Sequence, residues 1–192
     1  MRNIFSHRKI CGVVVALCML VLGTPSVFSD EAPASIHIGG AGISGSDWTV
    51  DQLQKQFAKE VTSVEYAGHG AKHTYACIPL VSLLKAAGAP AVLKMEPKAD
   101  PKTKSHSLRF VAVVRGRDGY VVAFSFTELL PDVGGRHVWV ALDEDGQPIS
   151  DQEGPIRLLS PDDQKPARSV HQLADITILD TAAATTRPDG TP

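Results

Sequence analysis

Apolar positions in this chain recur mostly at every second residue, in short runs cut off by Gly, Pro or Asp. Ile36-His37-Ile38 alternates in this way, and so does Val61 to Tyr66. His73, Tyr75 and Cys77 share one side of an extended segment. Leu108 to Arg115 and Tyr120 to Ser125 flank Asp118-Gly119, which predicts a hairpin. Val138 to Leu142 is a further strand and meets a turn at Asp145-Gly146. Ile156 to Leu159 and the run ending at Leu179 are two more strand-like segments. A polar loop rich in Pro and Asp, Ser160 to Pro166, joins them.

Helical spacing is rarer. Val50, Leu53 and Phe57 follow Thr49, and Gln52 completes a capping-box pattern with it. Pro79 suits the start of a helix that carries Leu80, Leu83 and Leu84 inward, and Gly88 suits its end. Ser125 and Glu128 form a second capping box over one turn, which Pro131 ends. Gly39 to Gly45 lacks the spacing of a phosphate loop and reads as a structural turn. Lys94 to Ser107 is polar and Pro-containing, as in a mobile surface loop. Together these features predict an α+β fold, a mainly β mixed-sheet domain with a few short helices. Residues 30–45 read as a flexible N-terminal segment with a first strand, 46–179 as the domain and 180–192 as a disordered tail.

Composition changes this picture mainly at the N-terminus. Arg2, Arg8 and Lys9 precede an apolar run from Ile10 to Leu22, then Val27-Phe28-Ser29. This is the pattern of a secretory signal peptide over residues 1–29, which places the protein outside the cytoplasm, periplasmic or secreted. No second stretch is long enough to span a membrane. Removing residues 1–29 takes away three cations and no acid, which moves the formal net charge from −2 to −5. Such a balance argues against nucleic acid as a partner. It also removes Cys11 and Cys18, so Cys77 is left as a lone thiol with no disulfide partner in the chain.

Gly154-Pro155-Ile156-Arg157-Leu158, Ser160-Pro161-Asp162 and Ala167-Arg168-Ser169-Val170 together resemble the end of the molybdopterin-binding domain of sulfite-oxidase-type oxidoreductases. Tyr75 to Leu80, with Leu83-Leu84 and Ala87-Gly88, resembles another segment of that family. Asp118-Gly119-Tyr120, Phe124-Ser125 and Glu128-Leu129 resemble a third. The resemblance spans about Ser46 to Leu179. It implies the sulfite-oxidase type of fold, oxidoreductase chemistry through molybdenum and a pterin, and a redox or accessory protein partner. Arg157, Arg168 and Ser169 stand where the family holds its pterin. Three functional groups, a thiolate, an imidazole and an ammonium, are replaced. Tyr66-Ala67-Gly68-His69 stands where the family has Cys-Ala-Gly-Asn, whose cysteine binds the metal. Glu153 replaces a histidine and His171 a lysine. A phenol is a poor substitute for a soft thiolate, so the resemblance implies a degenerate cofactor site. Arg8-Lys9 also departs from the twin-arginine signal usual for exported members.

Other chemistry is sparse. His69, His73 and Cys77 are spaced four apart, a pattern that suits either a metal or haem site or an ordinary turn and strand. Cys77 reads as a buried thiol or as a ligand. Arg157, Lys165 and Arg168 surround one loop and suit either an anion site or a solvated turn. Ser125 lacks the elbow of a hydrolase nucleophile. Three functions are therefore expected: a molybdopterin-type oxidoreductase with a degenerate site, a non-catalytic binding or accessory domain on the same scaffold, and a haem or metal binder through His69 and His73.

Overall fold

The alternating runs pair into two sheets. The computed structural model describes residues 35–68, 70–89, 101 and 108–184, all within one of the two units into which the chain divides, Pro33–Pro192. The first sheet has the order β2-β1-β9-β5-β6, with β1 Ser35–Gly40, β2 Ile43–Thr49, β5 Phe110–Gly116, β6 Val121–Ser125 and β9 Leu173–Asp180. Only β1 and β9 run parallel, so the sheet is mixed. The second sheet is antiparallel throughout, in the order β3-β4-β7-β8. Its strands are β3 Thr62–Tyr66, β4 His73–Pro79, β7 Trp139–Glu144 and β8 Arg157–Leu159. The fold is α+β, mainly sheet with few short helices, as the pattern predicts.

Local chemistry sets the helices. In α1, Val50–Gln56, the Thr49 hydroxyl accepts from the Gln52 amide, while the Gln52 side chain accepts from the Thr49 amide. In α2, Leu80–Ala86, the buried residues are Leu80, Leu83 and Leu84, and Gly88 follows with φ +85°. The Ser125–Glu128 box opens α3, Phe126–Leu129. These helices and the inward faces of both sheets share one core, which includes Ile36, Leu53, Ile78, Phe124, Leu158 and Ile178. A second, smaller cluster lies on the other face of the second sheet and contains Tyr75, Cys77, Ala141, Ile149 and Leu159.

β1 begins at Ser35 and pairs with β9 inside the sheet, and Ile43 to Thr49 form a second strand ahead of α1. That strand escapes the apolar pattern because it lies at the sheet edge, where backbone pairing suffices. Order also extends past Asp180, since Thr181–Ala184 form one helical turn, α4. Finally, β8 and β9 are consecutive in sequence yet lie in different sheets. Of the predicted loop at 94–107 only Pro101 is among the described residues, and the tail from 185 falls outside them.

Gly40 has φ +113°, and a Cβ there would lie 2.2 Å from the Ile178 carbonyl oxygen. No side chain fits this crossing of β1 against β9. Gly40→Ala is therefore expected to destabilise the domain by at least about 2 kcal/mol, measured as a lower midpoint in urea unfolding. An unchanged midpoint would show that β1 is not held there.

Candidate functional site

The outer face of the second sheet carries the polar residues. Register sets them in rows: Tyr66 opposite His73, Val64 opposite Tyr75 and then Glu144, and Cys77 opposite Ala141 and then Arg157. Ala141 is small, so the neighbouring Arg157 side chain can lie across it. The guanidinium reaches the Tyr75 ring, 5.3 Å from its centroid.

A cleft of about 780 Å³ opens above this face. Tyr66, His73, Tyr75, Glu144 and Arg157 form its floor. The opposite wall comes from Asp118 and Tyr120, at the β5–β6 turn, and from Ala167, Ser169 and His171, which precede β9. The Tyr120 hydroxyl donates to the Ala167 carbonyl oxygen at 2.5 Å and ties these two wall segments together.

Arg157 is only 5% exposed. Its Nη1 donates to Glu153 and, at 3.2 Å, to the Tyr75 hydroxyl. That hydroxyl in turn donates to Glu144 Oε1 at 3.0 Å. His171 Nδ1 lies 3.0 Å from Glu153 Oε2. At the other end His73 Nδ1 lies 2.8 Å from Asp145 Oδ2 and 3.4 Å from Glu144 Oε1. A continuous polar chain thus crosses the floor from one histidine to the other. Its effects on acidity are local. Burial above all pushes the Tyr75 phenol up to about 12, and the hydrogen bond to Glu144 adds to this. The hydrogen bond to Asp145 raises the His73 pKa, and the same bond lowers that of Asp145. By sign, the His73–Asp145 pair is fully charged between the lowered carboxylate value and the raised histidine value, and its contribution is lost as pH leaves that window on either side.

Tyr66 and Ser169, 103 positions apart, meet with their hydroxyl oxygens 2.6 Å apart. Ser169 Oγ also accepts from the Ser160 amide at 3.1 Å. The structure thus brings Tyr66, Arg157 and Ser169 to one cleft. It does not bring Arg168 there. That guanidinium holds Asp163 through Nε at 2.9 Å and Nη2 at 2.6 Å, holds Glu128 through Nη1 at 3.0 Å, and lies over the Phe124 ring. Its pKa is raised and that of Asp163 lowered, chiefly by their shared hydrogen bonds. Arg168 clamps the 3-10 turn Pro166–Arg168 to α3. Lys165 is exposed, so the three cations around this loop do not converge.

Of the His69, His73 and Cys77 set, the described members His73 and Cys77 can be placed. His73 and Cys77 lie four residues apart on one strand, roughly 13 Å along it. Cys77 is fully buried, and His69 lies outside the described residues. Among the described residues no three His, Cys, Asp or Glu side chains group as a metal would require. Glu144, Asp118 and Tyr120 are the cleft residues that sequence reasoning missed. They enter from strand ends and turns far from β4 in the chain; the Asp118-Gly119-Tyr120 and Asp145-Gly146 turn signals pointed near them without joining them to one cleft.

No family model matches the chain, and no curated protein matches it. Among solved structures it is similar to the sulfane dehydrogenase SoxCD from Paracoccus pantotrophus, at 16% identity and a TM-score of 0.51. The similarity covers 82% of this chain and 43% of that one. It establishes a shared fold, and the chain spans less than half of the SoxCD chain. Among the described residues no helix is long and apolar enough to cross a membrane.

Burial, aided by the Asp143 charge, pushes the Cys77 thiol up to about 12. Iodoacetamide at mildly alkaline pH is expected to leave Cys77 unlabelled in the native protein and to label it in denaturant, as read by mass spectrometry. Rapid native labelling would contradict its placement.

Proposed function

We propose that this protein is an exported binding or accessory domain that keeps the sulfite-oxidase-type scaffold without molybdenum chemistry. The observation that carries the reading is the Tyr66–Ser169 hydrogen bond at 2.6 Å. By the resemblance, one residue stands where a cysteine would bind molybdenum and the other where the pterin would be held. Here the two close on each other.

The rest of the donor set agrees. A protonated, buried Cys77 offers no thiolate to the cleft. Arg157 is already bound to Glu153, and Arg168 to Asp163 and Glu128. Glu153 and Glu144 place carboxylates in the same cleft as Arg157 and Ser169, the two positions that the resemblance assigns to the pterin. Like charges at such range repel, so molybdopterin does not fit the residues present. The likeness to SoxCD supports the scaffold and carries no activity across. Export is inferred from the charged, apolar and small-residue order of residues 1–29.

Purification from the native compartment tests both parts. Elemental analysis is expected to find molybdenum far below one atom per chain, and the visible spectrum to show no haem band. Near-stoichiometric molybdenum would overturn the reading. Intact mass is expected to match a chain starting at Asp30; retention of Met1 to Ser29 would remove the export inference.

A further inference from the structure

The cleft keeps a chemical bias after the cofactor is set aside. Among its described lining residues, three carboxylates (Asp118, Glu144 and Glu153) face one fixed cation, Arg157. Arg157 lies buried beneath them, already bound to Glu153 and to the Tyr75 hydroxyl. Glu144 and Glu153 keep partly exposed side chains, at 22% and 37%. Three phenol rings share the space. Tyr66 and Tyr75 lie on the floor, and Tyr120 is 46% exposed on the wall.

Carboxylates and the faces of tyrosine rings both attract cations. The carboxylates attract through charge at close range, and an open ring face adds to this through its quadrupole. The cleft, at about 780 Å³, is in the size range of small-molecule sites. Ala67, Gly68 and Ala71 line one side with small residues; Tyr75 is only 3% exposed and its ring already faces Arg157, so Tyr66 and Tyr120 are the rings left open to a ligand.

We propose that this cleft binds an organic cation, an ammonium or guanidinium group, between its tyrosine rings and its carboxylates; this rests on the cofactor-free reading above. The cation is either a free small amine or a lysine or arginine side chain on a partner segment. The recognition chemistry is the same for both. Binding is also pH-dependent. His73 faces Glu144, Asp145 and Arg157, and His171 faces Glu153. Protonating His73 adds a positive charge beside Glu144 and reduces the cleft's excess of negative charge, so acid weakens its hold on the cation.

Calorimetric titration of the purified full chain at low salt tests this, with arginine methyl ester, a short oligolysine and the dianion glutarate as probes. At about pH 8 a cationic probe is expected to bind with Kd below about 1 mM and glutarate not to bind. Binding should weaken at least about fivefold at about pH 5 and with added salt. Asp118→Asn with Glu144→Gln should weaken it about tenfold or more. Tyr120→Leu, at an exposed position, gives a second variant should the double one fail to fold, and should weaken binding about threefold. Binding of the ester points to a free amine; binding of oligolysine alone points to a basic segment. Failure of both cations to bind, equal binding of glutarate, or indifference to the folded variants overturns the proposal. Molybdenum near one per chain would instead overturn the cofactor-free reading, whereas molybdenum-free protein that binds no cation overturns only this inference.

Discussion

A guanidinium held out of water must be neutralised where it lies, and Arg157 sets this condition for the whole cleft. It is 5% exposed, and removing a charge from water costs several kcal/mol unless partners replace the solvent. Glu153 supplies the counter-charge, the Tyr75 hydroxyl accepts a further bond, and the Tyr75 ring lies alongside. Each partner then imposes its own demand. Tyr75 must pass its proton bond to Glu144, at the far end of β7, and Glu153 draws in His171 from the segment before β9. One buried charge thereby ties β4, β7, β8 and two loops into a single floor.

Arg168 shows how the same residue type serves a different end. Its fork grips Asp163 and Glu128, and its flat face covers Phe124. This holds the turn above the cleft in position, so that Ser169 and Ala167 present themselves to Tyr66 and Tyr120. Two adjacent residues, Arg168 and Ser169, thus point to opposite tasks: one builds the wall and the other faces the space inside.

Much of the scaffold is legible in the residues because its signals are local. The two capping boxes, the Asp118-Gly119 turn and the alternation in β3 and β4 each operate within a few positions, and each appears where it was read. The edge strand β2 was not legible, since its pairing with β1 uses backbone groups that every sequence carries. The cleft was legible only in pieces. Alternation placed His73, Tyr75 and Cys77 on one face but could not say that Cys77 would be sealed under Ile149 and Leu159 while His73 stayed half-open. Nor could spacing separate Arg157 from Arg168, because their partners arrive through pairings that span much of the chain.

The parallel pairing of β1 with β9 has a consequence for how the molecule is assembled. The strand at the centre of the first sheet is, among the described strands, the last to leave the ribosome. Before Asp180 clears the exit tunnel, the β1–β2 and β5–β6 hairpins have no common neighbour and can exist only as separate fragments. Completion of the first sheet is therefore obliged to wait for β9, with a long loop to close before the central hydrogen bonds form. Until then that sheet stays open, in a state that a chaperone can still grasp.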